Sequence, residues 1–255
     1  MVNGLKKFKE FFHDYTENYV LIGGTACDII MTDAGLHFRA TKDLDIILIV
    51  EALNQEFVKK FWGFVKEGGY KDKQKSEKER KYYRFLNPEN KDFPSQLELF
   101  ARKPDLLDLN EKSNLTPIPI ENDLSSLSAI LMNDDYYNFT LENSSNKNGL
   151  RIASTETLIC LKAKAYLDMV ARKNNGENID GKNIKKHKND VIRLAVLLSE
   201  INSIALPSAI KNDMKKFIEI IEKETIDSKS IGKNMGFNNL DLQSVFRQIK
   251  QSFSL

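Results

Sequence analysis

The chain has 255 residues, of which 41% are hydrophobic and 29% charged, with a formal net charge of +2. That length is enough for one large domain or two modest ones, either with a proper core. The near-balance of charge excludes a global field for nucleic acid or membrane, so any basic surface must be local.

Two cysteines, Cys27 and Cys160, lie inside apolar segments. That argues against a disulfide framework and for a reducing cytoplasm. No stretch approaches the ~18 uninterrupted apolar residues of a membrane helix. The N-terminal "MVNGLKKFKEFFHDY" is amphipathic and lacks the apolar core and cleavage site of a signal peptide. His13, His37 and His187 are scattered, and no Cys/His cluster has zinc spacing. A metal, if used, is therefore a hard ion on oxygen ligands.

In chain order, Leu5, Phe8, Phe11 and Phe12 fall at helical spacing over residues 3–17. "YVLI", 19–22, predicts a short strand stopped by Gly23 and Gly24. Thr25 is placed to cap a helix through "ACDIIMTDA" that ends near Gly35. "LDIILIV", 44–50, is β-branched and almost wholly apolar, the composition of a central strand covered on both faces. "NQEFVKKFWGFVKE" predicts a helix ended by Gly68 and Gly69, with Trp62 part of its core face. The charge run "KDKQKSEKERK", 71–81, reads as an exposed connection. "YYRFL" and "SQLELFA" predict two further strands. "PIPI", "LSAILM" and "YYNFTL" read as strands or extended segments.

Near Gly149 the character changes, and most of the remaining chain has helical period. Ser154 or Thr155 caps a helix through "LICLKAKAYLDMVARK". "NNGENIDGKNIKKHK" reads as a polar loop, with His187 part of its basic surface. "DVIRLAVLLSEI" resumes a helix, and two more come near 208–224 and 239–252. The expectation is an α/β (α+β) domain over 1–150, a mixed sheet with flanking helices, and a helical domain over 151–255.

Within that frame, Asp43 and Asp45 stand at the mouth of the 44–50 strand. Residues i and i+2 of a strand point to one face, so the two carboxylates project together, about 6 to 7 Å apart. They repel unless a cation or proton lies between them. Mg²⁺ (or Mn²⁺) answers that need, since it takes one or two carboxylates plus substrate phosphates. A solvated strand end carrying two acids is the plainer alternative.

Other features bear on the choice. Gly23 and Gly24 before a helix let a backbone approach a ligand, and the free N–H groups of a helix start attract phosphate. Thr25 adds a hydroxyl there. Glu98 stands in the apolar "LELF", where a charge needs a partner. If its strand lies beside 44–50, it completes a three-carboxylate cluster. Arg39 and Lys42, just ahead of the acids, could reach triphosphate oxygens.

The order strand, Gly-Gly-Thr, helix, strand, Asp-x-Asp, with a later lone acid in a strand, resembles the nucleotidyltransferase superfamily, whose fold is that of polymerase-β-like enzymes. "YVLIGGTACDIIM" and "FRATKDLDIIL", then "LICLKAKAYLDMVARK" and "KKHKNDVIRL", are similar to the AbiEii-type nucleotidyltransferases. Those are toxin components of abortive-infection and toxin–antitoxin pairs. The resemblance spans roughly 18–200.

It implies that Gly23, Gly24 and Thr25 hold the triphosphate. Asp43 and Asp45 would bind two metal ions, with Glu98 the third carboxylate and the base on the acceptor hydroxyl. Lys162, or alternatively Lys164, would contact nucleotide phosphate, and Asp190 would be the family's late catalytic aspartate. The activity implied is transfer of a nucleoside monophosphate from an NTP to an acceptor hydroxyl, with tRNA the favoured RNA acceptor and an antitoxin protein the partner. The competing expectations are a small-molecule or protein acceptor, and a nucleotide-binding protein without turnover.

Overall fold

The structure is a computed structural model and describes residues 2–75, 82–101, 116–117, 130, 133–199, 203–237 and 239–255. It is an α/β fold: a mixed sheet flanked by helices, followed by a helical region. In chain order, the N-terminal half holds α1 (Leu5–Phe12), β1 (Tyr19–Ile22), α2 (Gly23–Asp33), β2 (Asp43–Leu48) and α3 (Gln55–Gly68). After these come β3 (Tyr70–Lys75), β4 (Tyr82–Pro88), β5 (Gln96–Ala101) and the two-residue β6 (Thr116–Pro117). Then come α4 (Asp134–Glu142), β7 (Ser144–Lys147), β8 (Leu150–Ala153), α5 (Thr155–Asn174) and α6 (Gly181–Ala195). The chain finishes with α7 (Ser208–Ile221), α8 (Ser228–Met235) and α9 (Leu242–Ser252).

The strands run in the order β6-β3-β4-β5-β2-β1-β8-β7. β2 lies centrally, antiparallel to β1 and parallel to β5. Its apolar run reflects that position, because both faces are covered. On one face, α1 and α3 lay an aromatic layer. Phe8 packs edge-on to Tyr19 at 5.3 Å, and Phe61 on α3 meets Phe85 of β4 at 5.7 Å. On the other face α2 packs against β1, β2 and α5, and α5 pairs with α6. β8 straddles position 150, where the composition changes, and pairs in parallel with β1. The sheet therefore includes residues from both sides of that point.

Several elements differ from the sequence expectation. Residues 71–75 form β3 rather than a connection; the rest of that charge run, 76–81, lies outside the described residues. A charged strand is at home here, since β3 sits near the sheet edge, where charge discourages pairing with another chain. "YYNFTL" is helical. Asn133 caps α4 by accepting from the N–H groups of Asp135 and Tyr136, and Asp134 and Asp135 occupy the first turn. "PIPI" beyond Pro117, and "LSAILM" apart from Ile130, lie outside the described residues.

The segment "GKNIKKHK" is not a loop but the first half of α6, capped by Asp180, whose side chain accepts from Lys182 N–H. Ser154, not Thr155, caps α5, accepting from Thr157 N–H. Thr25 caps nothing, because α2 already begins at Gly23. The helix α8 is an addition to the expected set.

Candidate active site

Strand register builds the floor of a cleft. Asp45 pairs with Ile22 on one side and Glu98 on the other, Asp43 pairs with Gln96, and Arg84 pairs with Glu98. Directly paired residues share a face of the sheet. The side chains of Asp43, Asp45, Arg84, Gln96 and Glu98 therefore rise together, on the face opposite α1 and α3. Above them stand Gly23 and Gly24 of α2, Leu158, Leu161, Lys162 and Ala165 of α5, and Lys186 and His187 of α6. The enclosed cleft measures about 280 Å³.

Two glycines make the closeness possible. β1 turns into α2 with no intervening loop, and Gly23 takes φ +67°, in the left-handed region. A Cβ at Gly23 would lie 1.7 Å from Asp45 Oδ2, and one at Gly24 would lie 2.5 Å from Thr41 Oγ1. The Asp45 carboxylate thus rests on the bare backbone of Gly23. No side chain caps α2, and no acid occupies its first turn. Its free N–H groups lie at the cleft, an arrangement suited to an anionic ligand.

The acids crowd one another. Burial, and then the neighbouring Asp45, push the Asp43 carboxyl above its ordinary value, while Lys186, Arg84 and Arg39 pull it back. Glu98 is raised further, first by burial and then by Asp45, whose carboxyl it also hydrogen-bonds; Arg84 offsets part of this. Arg84 donates to Glu98 Oε1 through Nε at 3.1 Å and Nη2 at 3.0 Å, and Gln96 Nε2 donates to the same oxygen at 2.5 Å.

On the opposite wall the signs reverse. Asp190 is fully buried and grips Arg39 through two oxygens, at 2.9 Å from Nε and 2.8 Å from Nη2. Lys162 Nζ lies 3.5 Å from Asp190 Oδ2, and Arg193 Nη1 lies 3.2 Å from Oδ1. Burial opposes charge on Asp190, yet Lys162, Arg39 and Arg193 hold its carboxyl below the ordinary range. One anion thereby fixes three cations from three segments, and two of them, Arg39 and Lys162, line the cleft. Asp190 itself does not. Beside them, burial and then Lys162, Lys186 and Arg39 push His187 well below its ordinary pKa, so its imidazole is neutral at pH 7.

The sequence-derived candidates thus separate. Asp43, Asp45, Glu98, Gly23, Gly24, Arg39 and Lys162 meet in the cleft. Thr25 is fully buried, and its hydroxyl donates to the Asp43 carbonyl at 2.6 Å, tying α2 to β2 rather than facing a ligand. Lys42 is exposed and outside the cleft. Lys164 points elsewhere, to Asp213 at 2.9 Å, so of the two α5 lysines Lys162 is the cleft residue. His187, read as basic surface, is instead buried in the cleft wall. The sequence reading missed Thr41, Arg84, Gln96 and Lys186. For Arg84 a signal existed: a lone Arg in the aromatic "YYRFL" needs a buried partner as much as the lone Glu of "LELF" does.

The donor set suits a hard divalent ion. Asp43 and Asp45 supply acidic oxygens at the cleft, and their mutual repulsion is what a cation would relieve. Among the described residues no group of three or more His, Cys, Asp or Glu side chains is arranged to hold a metal. Two carboxylates would leave the remaining positions to water and phosphate oxygens, as Mg²⁺ sites usually do.

No family model matches the sequence, and no curated protein matches it. Among solved structures, an antigenic nucleotidyltransferase-like protein from Paracoccidioides brasiliensis is similar at TM-score 0.39 and 14% identity, covering 96% of this chain and 99% of that one. Among the described residues no helix is long and apolar enough to cross a membrane. The functional reading therefore stands on the chemistry of the cleft.

Proposed function

We propose that the chain is a metal-dependent nucleotidyltransferase that moves a nucleoside monophosphate from an NTP to an acceptor hydroxyl. The carrying observation is the meeting of the Asp43–Asp45 pair with the Gly23–Gly24 helix start and the Arg39–Lys162 cations in one cleft. Chemistry of this kind asks for little beyond positioning and charge neutralisation. Bound Mg²⁺ or Mn²⁺ would polarise the phosphoryl oxygens and offset their charge.

The chain's own residues do the rest. Asp43 and Asp45 hold the ion. The α2 N–H groups and Lys162 receive the polyphosphate, and Arg39 adds a guanidinium on the same wall. Asp190 acts by aiming Lys162 and Arg39 rather than by touching substrate. Leu158, Leu161 and Ala165 give an apolar patch against which a base or sugar can rest. Attack of the acceptor oxygen forms a new P–O bond at the α-phosphorus, pyrophosphate leaves, and the hydroxyl proton is released.

The finer reading builds on the resemblance to AbiEii-type enzymes. It is a cytoplasmic toxin that modifies RNA, with tRNA the favoured acceptor, silenced by an antitoxin protein. Exposed Lys182 and Lys185 on α6 supply basic surface for a phosphate backbone. The test is incubation of the protein with Mg²⁺, each α-labelled NTP and total cellular RNA, or RNA-free extract. Label on RNA with release of pyrophosphate is expected. Label only on small molecules or protein would move the acceptor, and no Mg²⁺-dependent pyrophosphate from any NTP would defeat the enzyme reading.

A further inference from the structure

Glu98 is only 6% exposed and Arg84 only 5%. They face each other across the β4–β5 register, and the guanidinium fork closes on a single carboxylate oxygen, Oε1. Gln96 donates to that oxygen as well. A carboxylate oxygen offers about two lone-pair directions, so three donors leave Oε1 none for a metal.

A two-ion site holds its metals about 3.5–4 Å apart and needs carboxylates for both. Here one oxygen of the third carboxylate is already taken by three donors. Its partner is a cation that does not deprotonate in proteins, and it lines the same cleft as Asp43 and Asp45. We propose that the cleft holds one divalent cation, on Asp43 and Asp45, and that the Arg84 guanidinium stands as a fixed cation where a second would be needed. Arg84 is then a positioning residue that acts through Glu98. It reserves Glu98 as a countercharge and leaves the two aspartates as the metal ligands. The inference rests on the metal-dependent function proposed for the cleft.

Electron paramagnetic resonance of free Mn²⁺, titrated into the whole protein with a saturating NTP analogue resistant to α–β cleavage, counts the ions directly. One Mn²⁺ per chain is expected, and two would overturn the inference. Arg84→Lys keeps the charge and is expected to keep one ion. Arg84→Gln frees Glu98 and is expected to gain a second, weaker ion, a gain that mere loosening of the fold would not give. An Arg84→Gln protein that folds, by circular dichroism, and still binds one ion would remove Arg84 from the account. If Arg84→Gln does not fold, the wild-type count decides alone. Wild-type protein that binds no Mn²⁺ would instead defeat the metal-dependent reading itself.

Discussion

Asp190 and Glu98 are both carboxylates buried beside one cleft, yet their surroundings drive them in opposite directions. Asp190 touches Arg39, Lys162 and Arg193, and its carboxyl is held below the ordinary range despite burial. Glu98 has Arg84, but burial and the nearby Asp45 and Asp43 outweigh it, and its carboxyl is pushed up. Burial alone raises both, so the sign of the neighbours decides. The first carboxylate is a structural anion that organises cations. The second belongs to an acidic cluster whose charge is only partly met, and an unmet cluster is where an incoming cation gains most.

Removing the structural anion is expected to have the largest effect. Asp190→Asn leaves buried Lys162 and Arg193 and half-buried Arg39 facing one another and is expected to cost about 3–5 kcal/mol, the range for breaking a buried pair. Urea denaturation measures it. The depressed carboxyl sets the sign of the pH dependence. Its contribution is complete above the ordinary carboxylate value of 3.8 and is lost as pH falls through the lower folded-state value. Wild-type stability is therefore expected to fall more steeply than that of Asp190→Asn in that acid window. Parallel acid limbs would show that Asp190 is not the charged anchor described here.

Next come the two lysines of α5, two residues apart but on different sides. Lys162→Met is expected to lower nucleotide incorporation roughly a hundredfold, the scale of losing one well-placed donor in a dry site. Lys164→Met removes only a partly exposed pair with Asp213, worth no more than about 1 kcal/mol, and is expected to leave incorporation unchanged. Equal effects on incorporation would erase the distinction between them. A smaller cost is expected at the turn below Asp45. Gly23→Ala imposes a left-handed conformation on a residue with a Cβ, about 1–3 kcal/mol. That Cβ also displaces Asp45, so weakened Mn²⁺ binding is expected to accompany the drop in melting temperature.

Much of this arrangement was legible in the sequence wherever a pattern was local. The apolar run at 44–50, the Gly-Gly stop after "YVLI" and the aromatic period of "FVKKFWGFV" each act through nearest neighbours and correspond to β2, the β1–α2 turn and α3. What stayed hidden depended on polar groups turned inward. The first half of α6, 181–188, looked like a loop because its one aliphatic residue is Ile184 and its buried residue is His187, so polarity masked the helical period. "YYNFTL" holds three strand-favouring aromatics and one β-branched residue, and its cap at Asn133 outweighed that preference. Thr25 has the right chemistry for a ligand, but its hydroxyl is used by the backbone of β2, which only the tertiary structure shows. Arg84 was overlooked because its partner lies on another strand.

The central claim is that the acidic pair and the glycine turn together receive a metal–nucleotide complex. Calorimetric titration of a non-cleavable NTP analogue, with and without Mg²⁺, into wild-type protein and Asp43→Asn tests it most directly. The account predicts that Mg²⁺ strengthens binding at least tenfold in wild type and that Asp43→Asn abolishes this gain while its thermal unfolding stays cooperative. Binding that is indifferent to Mg²⁺ in the wild type, or a gain that survives Asp43→Asn, would contradict it.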